Sequence, residues 1–425
     1  MLKVLYKSWK RNAKDLYKHA VFECRSCMNR DTSLRRLLPL LRVSLAACCL
    51  VTGCATKTSD STRLGEQGGT TGFDQRSTKW VDSRLSTPTG PFAVGRVDRL
   101  FTDSSRDILY RSVTNGSLMA TIWYPAGDVG DRSPSPYVNP REMLAWIEVF
   151  QKYGLRLDAA QRARLTNSYS HSFPGAPLLS RPHKFPVVLY VHGQLGLRTD
   201  NTGSAEELAS HGFIVVSSAH GGTAGMELPD GTLVRPQLAF HLSGNDTNPI
   251  ALAVFQDQTR DLQFTMDELG RLNSSDKVFA GRFDMNHIGV FGWSYGGAAA
   301  AELCNVESRC KAGAALDPGG HPDLSTIRFQ KPFLILAGPH GVSAGARQLF
   351  EQLNKNCYFI KLRDAGHDEF GDFAELTRHS PTGRTRVLVR SYLVDFFTRY
   401  LKREDGHELD GPLPDHPEIE LFLKK

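Results

Sequence analysis

The sequence predicts an α/β protein with a mostly parallel β-sheet covered by helices on both faces. Short runs rich in β-branched and aromatic residues recur along the chain, as expected of strands. From "FPVVLYV" (185–191) onward these runs are apolar on both faces, which is typical of strands buried on both sides. Helical stretches separate most of them, so successive strands lie parallel. We expect one catalytic domain over 91–425, with about eight strands.

The predicted elements follow one another along the chain. The strands are "FAVGRVDRL", "LMATIWYP", "FPVVLYV", "GFIVVSS", "HIGVFG", "AGAAL", "PFLILA" and "CYFIKL". The main helices are 202–211, 252–273, 296–304, 344–354 and 385–402. Residues 139–170 form a helical insertion of two helices before the first central strand, with Leu144, Trp146, Ile147, Phe150 and Tyr153. These helices either pack on the core or form a lid over an apolar substrate.

Charge is distributed unevenly along the chain. Residues 1–53 carry a net charge of +8, whereas the remainder of the chain carries −2. The catalytic region is therefore nearly neutral, and we expect no nucleic-acid function. The basic segment instead has the form of a targeting leader.

The leader ends in a pattern that resembles the lipobox of bacterial lipoproteins. Three arginines precede the apolar run "VSLAACCLVT", which is too short to span a bilayer, and "LVTGC" (50–54) follows. This resemblance implies that Cys54 is lipidated and anchors the protein in the bacterial cell envelope, on the periplasmic side or the outer membrane. An ordinary secretory signal that contains cysteine is the alternative. Separately, residues 1–27 are unusual for a signal, which leaves two candidate start codons, Met1 and Met28. Residues 54–90 are rich in Ser, Thr and Gly, as expected of a flexible tether.

Outside the leader and tether the chain has three cysteines. Cys304 and Cys310 flank a six-residue step between a predicted helix end and a strand. In an oxidising periplasm they could form a disulfide, although spacing alone does not establish the geometry. Cys357 lies in an apolar run and is expected to be a small core residue.

The stretch "HIGVFGWSYGGAAAAELC" (287–304) predicts a nucleophile elbow. It fits G-x-S-x-G, with a strand before Ser294 and a helix after it, which is the context that this motif requires. Small residues are needed at 292 and 296 because the serine occupies a strained turn pressed against neighbouring backbone.

A serine nucleophile needs a base that is oriented by an acid, and in this arrangement the chain order is Ser, Asp or Glu, His. Asp317 ends the strand that follows the elbow, whereas "PFLILAGPHG" offers His340 but no carboxylate. His367 follows the last predicted strand. We therefore expect Ser294, Asp317 and His367 to form the triad.

Two backbone N–H groups should stabilise the oxyanion of the tetrahedral intermediate. One is that of Tyr295, directly after the nucleophile. The other belongs to the turn after "VVLYV", where Gln194 is the candidate and His192-Gly193 is expected to shape the turn. The sequence contains no evident metal-ligand cluster, and we expect no cofactor.

The chain resembles the platelet-activating factor acetylhydrolases and their bacterial relatives among the α/β-hydrolases. The resemblance covers roughly 92–422 and rests on "TIWYPA", "HGQLGLRT", "ELASHGFIVVSS", "GRFDMNHIGVFGWSYGG" and "CKAGAALDPGG". It implies an α/β-hydrolase fold and a calcium-independent serine esterase. Ser294, Asp317 and His367 match the triad of that family, and Gln194 and Tyr295 match its oxyanion donors.

Two positions depart from the family pattern. The family commonly has histidine before the nucleophile and phenylalanine after it, where this chain has Trp293 and Tyr295. "GWS" also occurs in cutinase-like polyester hydrolases. Those enzymes take their acid from the loop after the following strand, where this chain has "PFLILAGPHG" and no carboxylate. We therefore expect an ester hydrolase acting on short-acyl lipids or small esters. The alternatives are a polyester hydrolase and a non-catalytic envelope binding protein. The oligomeric state is left open.

Overall fold

The structure is a computed structural model that describes residues 85–104, 116–152, 154–220, 224–236, 249–319, 324, 327–339, 343–377 and 383–425. The predicted leader over 1–53, Met28, Cys54 and most of the tether lie outside the described residues, as do Tyr153 and His340. No helix within the described ranges is long and apolar enough to cross a membrane.

The strands form one large sheet and a small separate ribbon. They are β1 (Ala93–Thr102), β2 (Ser117–Ala126), β3 (Ser172–Pro174), β4 (Phe185–Val191), β5 (Ile214–Ser218), β6 (Met226–Glu227), β7 (Leu233–Val234), β8 (Phe283–Trp293), β9 (Cys310–Leu316), β10 (Phe333–Ala337), β11 (Cys357–Leu362) and β12 (Ile419–Lys424). The sheet order is β12-β11-β10-β9-β8-β4-β5-β2-β1-β3, and β6 pairs with β7.

The sheet is mixed, although its centre is parallel. From β5 through β4, β8, β9 and β10 to β11 every neighbouring pair is parallel. The β11–β12, β2–β5 and β1–β2 pairs are antiparallel. The sheet thus has ten strands rather than the eight expected. The two extra strands are the edge strands: β3 has three residues, too few for a periodic pattern, and β12 is only partly buried.

Helices cover both faces of the sheet. They are α1 (Pro140–Lys152), α2 (Ala159–Asn167), α3 (Thr202–Ser210), α4 (Pro249–Ser275), α5 (Tyr295–Val306), α6 (Ser343–Gln352), α7 (Phe373–Thr377) and α8 (Gly383–Phe397). Along β4, Val187 and Leu189 join the core beneath α4, α5 and α6, whereas Val188 and Tyr190 join the core beneath α3 and α8. This alternation explains why the central strands carry apolar residues on both faces.

The insertion packs against the body of the domain. Met143, Ile147 and Leu165 from α1 and α2 share a buried cluster with Leu197, from the turn after β4, and Leu376 of α7. An Asp158–Gln161 capping box begins α2. The insertion therefore buries its apolar face on the domain, which favours the packed alternative over a free lid.

A buried ion pair fixes the start of α1. The Arg198 guanidinium donates to both carboxylate oxygens of Glu142 at 2.7–2.8 Å, and the two side chains are 3% and 1% exposed. Arg198 also donates through Nε to the Thr121 hydroxyl at 3.0 Å, and Glu142 accepts the N–H of Glu227 at 2.7 Å. The insertion is thus tied to the turn after β4, to β2 and to the β6–β7 ribbon.

A disulfide joins Cys304, near the end of α5, to Cys310, the first residue of β9, with a Cα–Cα separation of 5.4 Å. Both residues are fully buried. Cys357 is a buried free cysteine at the start of β11. The disulfide closes the α5–β9 connection at the C-terminal end of α5, whereas the elbow lies at the N-terminal end of that helix.

Replacing Glu142 by Gln should destabilise the fold by about 3 kcal/mol, because it leaves the buried Arg198 charge without its main carboxylate. Glu148→Gln on the same helix is the matched control, since the Glu148–Arg235 pair is exposed and worth little. Urea denaturation at pH 7 measures both. Equal stability losses in the two variants would contradict the anchoring role of the buried pair.

Candidate active site

Ser294 occupies a strained turn between β8 and α5. Its φ and ψ are 56° and −122°, a conformation that non-glycine residues rarely adopt. The Ser294 N–H donates to the carbonyl of Leu316 at 2.9 Å, and its carbonyl accepts the N–H of Gly297 at 2.9 Å. The turn is therefore fixed by β9 on one side and by the first turn of α5 on the other.

The glycines of G-x-S-x-G are required by close backbone approaches. A Cβ atom on Gly292 would lie 2.1 Å from the carbonyl oxygen of Gly296. A Cβ atom on Gly296 would lie 2.1 Å from the carbonyl oxygen of Val191, the last residue of β4. Any larger residue at either position would displace the backbone that holds Ser294.

Asp317 directly follows β9 and is 1% exposed. Its Oδ1 accepts the N–H of Gly338 at 2.9 Å, and its Oδ2 lies 2.5 Å from Nδ1 of His367. Its own N–H donates to the carbonyl of Leu336 at 2.6 Å. The backbone of Asp317 is thus fixed by Leu336 and its Oδ1 by Gly338, while Oδ2 faces the imidazole.

His367 begins a short 3-10 turn, His367–Phe370, after β11. The side chain is 42% exposed, in contrast to the buried Asp317. Its Nδ1 is engaged by Asp317, so Nε2 is the ring atom left for a partner on the open side. The predicted acid and base therefore meet, although they are 50 residues apart in the sequence.

Ser294 and His367 line one cavity of about 350 Å³. Gln194, Trp293 and Asp368 also line it. The insertion and the segment before it supply much of its apolar wall, through Tyr137, Met143, Trp146, Phe150, Leu155 and Leu165. Two larger clefts are found elsewhere among the described residues, and neither is lined by Ser294, Asp317 or His367.

The two predicted oxyanion donors belong to the turn after β4 and to the residue directly after Ser294. Gln194 belongs to the tight turn after β4, in which Leu195 has a φ of 56° and the N–H of Gly196 donates to Gly193 at 2.9 Å. Tyr295 is the first residue of α5 and directly follows Ser294, so its N–H remains the second predicted donor. The Tyr295 ring is buried against Phe255, so it is a core residue and does not face the cavity.

Residues 78–226 match the family model described as "Platelet-activating factor acetylhydrolase, isoform II". Curated relatives named platelet-activating factor acetylhydrolase include one from Cavia porcellus, 23% identical over 328 residues that cover 71% of each chain. Another, from Gallus gallus, is 22% identical over 354 residues, 74% of this chain and 78% of the relative. The chain is thus similar to the platelet-activating factor acetylhydrolases, and its sheet and helices form an α/β-hydrolase fold.

The hydrolase is a serine enzyme that acts on carboxylic ester bonds. A ferulic acid esterase from Streptomyces cinnamoneus has the same fold, with a TM-score of 0.66 and 24% identity. That comparison covers 81% of this chain and all of the esterase. The matched family range contains the turn after β4 but ends before Ser294, so the elbow and triad positions rest on the geometry described above.

His192 of the hydrolase supports the turn after β4 and is fully buried. Its Nδ1 donates to the carbonyl of Gly193 at 2.8 Å, and its Nε2 accepts the N–H of His220 at 3.2 Å. Burial, with a smaller effect from the neighbouring His220, lowers the pKa of His192 to about 3. A neutral imidazole is what this donor–acceptor pattern requires.

Residues that the sequence did not single out join the turn after β4 to the segment that carries His367. The Asn201 amide donates to the carbonyl of Phe370 at 2.9 Å, across 169 residues of sequence. The N–H of Asp372 donates to the carbonyl of Asp200 at 3.0 Å. Burial raises the pKa of the Asp372 carboxyl to about 8, although Arg390 opposes the shift. No local pattern in the sequence predicts that these positions are in contact.

Replacing His192 by Gln should flatten the loss of stability in acid. The unfolded state binds a proton near pH 6.5, whereas folded His192 does so only near pH 3. This one imidazole therefore lowers the free energy of unfolding by about 1.4 kcal/mol for each pH unit between about 6.5 and 3, and His192→Gln removes this contribution.

Denaturation between pH 7 and 4 measures the slope. The exposed His183→Gln is the control for loss of one imidazole. Parallel pH profiles for wild type and His192→Gln would contradict the assignment.

Proposed function

We propose that the hydrolase cleaves short-acyl esters of lipids or small alcohols through an acyl-enzyme formed on Ser294. The observation that carries this proposal is the 2.5 Å contact between Asp317 and His367, beside a cavity that Ser294 shares with His367. The strained elbow and the chain order of the three residues support it further.

In the first half of the reaction Ser294 Oγ attacks the ester carbonyl carbon, and its proton passes to His367 Nε2. Asp317 holds the Nδ1–H tautomer and stabilises the imidazolium that forms. The tetrahedral intermediate then collapses: the bond to the alcohol oxygen breaks, and that oxygen takes the proton from His367 Nε2.

In the second half a water molecule attacks the acyl carbon while His367 Nε2 accepts its proton. Collapse of this intermediate breaks the bond to Ser294 Oγ, which regains the proton, and the carboxylic acid leaves. The N–H groups of Gln194 and Tyr295 would hold the oxyanion in both steps. Each such donor is typically worth about 2.7–4 kcal/mol in the transition state.

The size of the cavity supports a short acyl group. A volume of about 350 Å³ is near the lower end of the roughly 300–1,000 Å³ found for ligand sites. Its apolar lining suits an acyl group rather than a charged one. The names of the relatives direct attention to 1-alkyl-2-acetylglycerophosphocholine, whose acetyl group falls within this range.

A polyester hydrolase is the second candidate, favoured by Trp293 before the nucleophile. The indole lines the cavity, where it could contact an aromatic ester unit. The packed insertion counts against it, because a polymer chain needs an open groove and α1 with α2 walls one side of this cavity.

For location, we propose that Cys54 is lipidated and tethers the catalytic domain to the bacterial envelope. The basic leader, the apolar run and "LVTGC" support this anchor. Metabolic labelling with an alkyne fatty acid should mark the full chain but not Cys54→Ser. Equal labelling of both proteins would refute the anchor.

Ser294→Ala should lower ester hydrolysis by at least about a thousandfold while leaving the fold intact, because removal of the nucleophile ends acyl-enzyme formation. A fluorophosphonate should label wild type but not this variant, as read by mass spectrometry. Labelling of Ser294→Ala, or hydrolysis at the wild-type rate, would reject the proposed nucleophile.

Phe150→Ala should extend the range of acyl chains, because Phe150 stacks on Trp146 at 4.3 Å and lines the cavity. We expect the ratio of kcat/KM for p-nitrophenyl octanoate to that for acetate to rise roughly tenfold. Leu144→Ala is the matched control, since Leu144 is 43% exposed on the same helix and does not line the cavity. Identical acyl profiles for the two variants would contradict an acyl pocket at this wall.

A further inference from the structure

Trp293 lies between two loops that meet at the active site. It ends β8 directly before Ser294, and its indole approaches Gly193, in the turn after β4. A Cβ atom on Gly193 would lie 3.1 Å from Cε3 of the indole. On its other side, a Cβ atom on Gly371 would lie 3.7 Å from Cδ2. The indole therefore fills the gap between the oxyanion turn and residues 366–372, which we call the histidine loop.

The indole also bonds directly to the main chain of the base. Trp293 Nε1–H donates to the carbonyl oxygen of His367 at 3.1 Å. The indole and imidazole centroids are 5.1 Å apart, with 33° between the ring planes. His367 is thus held at two points: its ring by Asp317 and its backbone by Trp293.

We propose that Trp293 is a positioning residue. Its indole N–H fixes the backbone of His367 and thereby keeps the imidazole aligned with Ser294. This inference rests on the proposed triad and adds a residue to it. Because Trp293 and Ser294 are adjacent, the end of β8 positions both the nucleophile and the indole that holds the backbone of His367.

Two bonds join the turn after β4 to the far end of the histidine loop. Asn201 holds the carbonyl of Phe370, and the Asp372 N–H bonds to Asp200, both at the far end of the loop. The Trp293 bond reaches the end where the imidazole begins. Its loss would let that end shift, and a displacement of about 1 Å at a catalytic group can cost on the order of a hundredfold in rate.

The competing role for Trp293 is that of an apolar wall that binds substrate. The ring lines the cavity, so both roles are compatible with its position. They differ in the part of the side chain that is required: substrate binding needs the apolar ring, whereas positioning of His367 needs the indole N–H. They also differ kinetically, since loss of a substrate-binding surface raises KM, whereas loss of a positioning contact lowers kcat.

The test replaces Trp293 in the full chain by 3-benzothienylalanine, which keeps the ring size but has sulfur in place of the N–H. Trp293→Phe is a second variant that also removes the donor, and Ser294→Ala is measured beside them. Hydrolysis of p-nitrophenyl acetate gives kcat and KM. Thermal unfolding shows that each variant is folded.

We expect kcat to fall roughly tenfold or more in the benzothienyl variant, with KM within about twofold of wild type. In Trp293→Phe, kcat should fall at least as far. Unchanged kcat and KM, or a rise in KM alone, would overturn the positioning role while the triad stands. Full activity in Ser294→Ala would instead remove the proposed nucleophile, and the positioning role with it.

Discussion

The strained turn at Ser294 is the constraint on which the rest of the site depends. A serine with a φ of 56° persists only where its surroundings determine it, and here backbone from β4, β9 and α5 does so. The turn lifts the nucleophile out of the sheet and starts α5 immediately behind it. One local conformation therefore sets the position of the hydroxyl and of the adjacent Tyr295 N–H.

The parallel centre of the sheet brings the remaining groups to the same place. Carboxyl ends of parallel strands lie at one edge, and the turns after β4, β8, β9 and β11 carry Gln194, Ser294, Asp317 and His367. Register keeps them level: Val191 pairs with Gly292, and Trp293 pairs with Leu316. The insertion then closes one side of the space above them, held there by the buried Glu142–Arg198 pair.

The sequence alone predicts those parts of the site whose rules are local. The elbow is readable because its glycines, strand and helix are contiguous, and chain order selects Asp317 and His367 for contact once the fold class is known. The eight main strands are likewise visible as apolar runs. The edge strands β3 and β12 are not, since one is too short and the other only partly buried.

Contacts between distant segments could not be predicted in this way. The Trp293 bond to His367 spans 74 residues, and the Asn201 bond to Phe370 spans 169. In the sequence, Trp293 and Tyr295 are both departures from the family pattern, and both bear only on the choice of substrate. The structure separates them: the Tyr295 ring belongs to the core, whereas the indole faces the cavity and the histidine loop.

The most direct test of the proposed site is a crystal structure of the protein after reaction with a small alkyl phosphonate ester, whose tetrahedral adduct mimics the intermediate. We expect phosphorus bonded to Ser294 Oγ and a phosphoryl oxygen about 3 Å from the N–H groups of both Gln194 and Tyr295. Asp317 should remain bonded to His367. Phosphorus on another residue, or a phosphoryl oxygen turned away from both N–H groups, would contradict the proposed site.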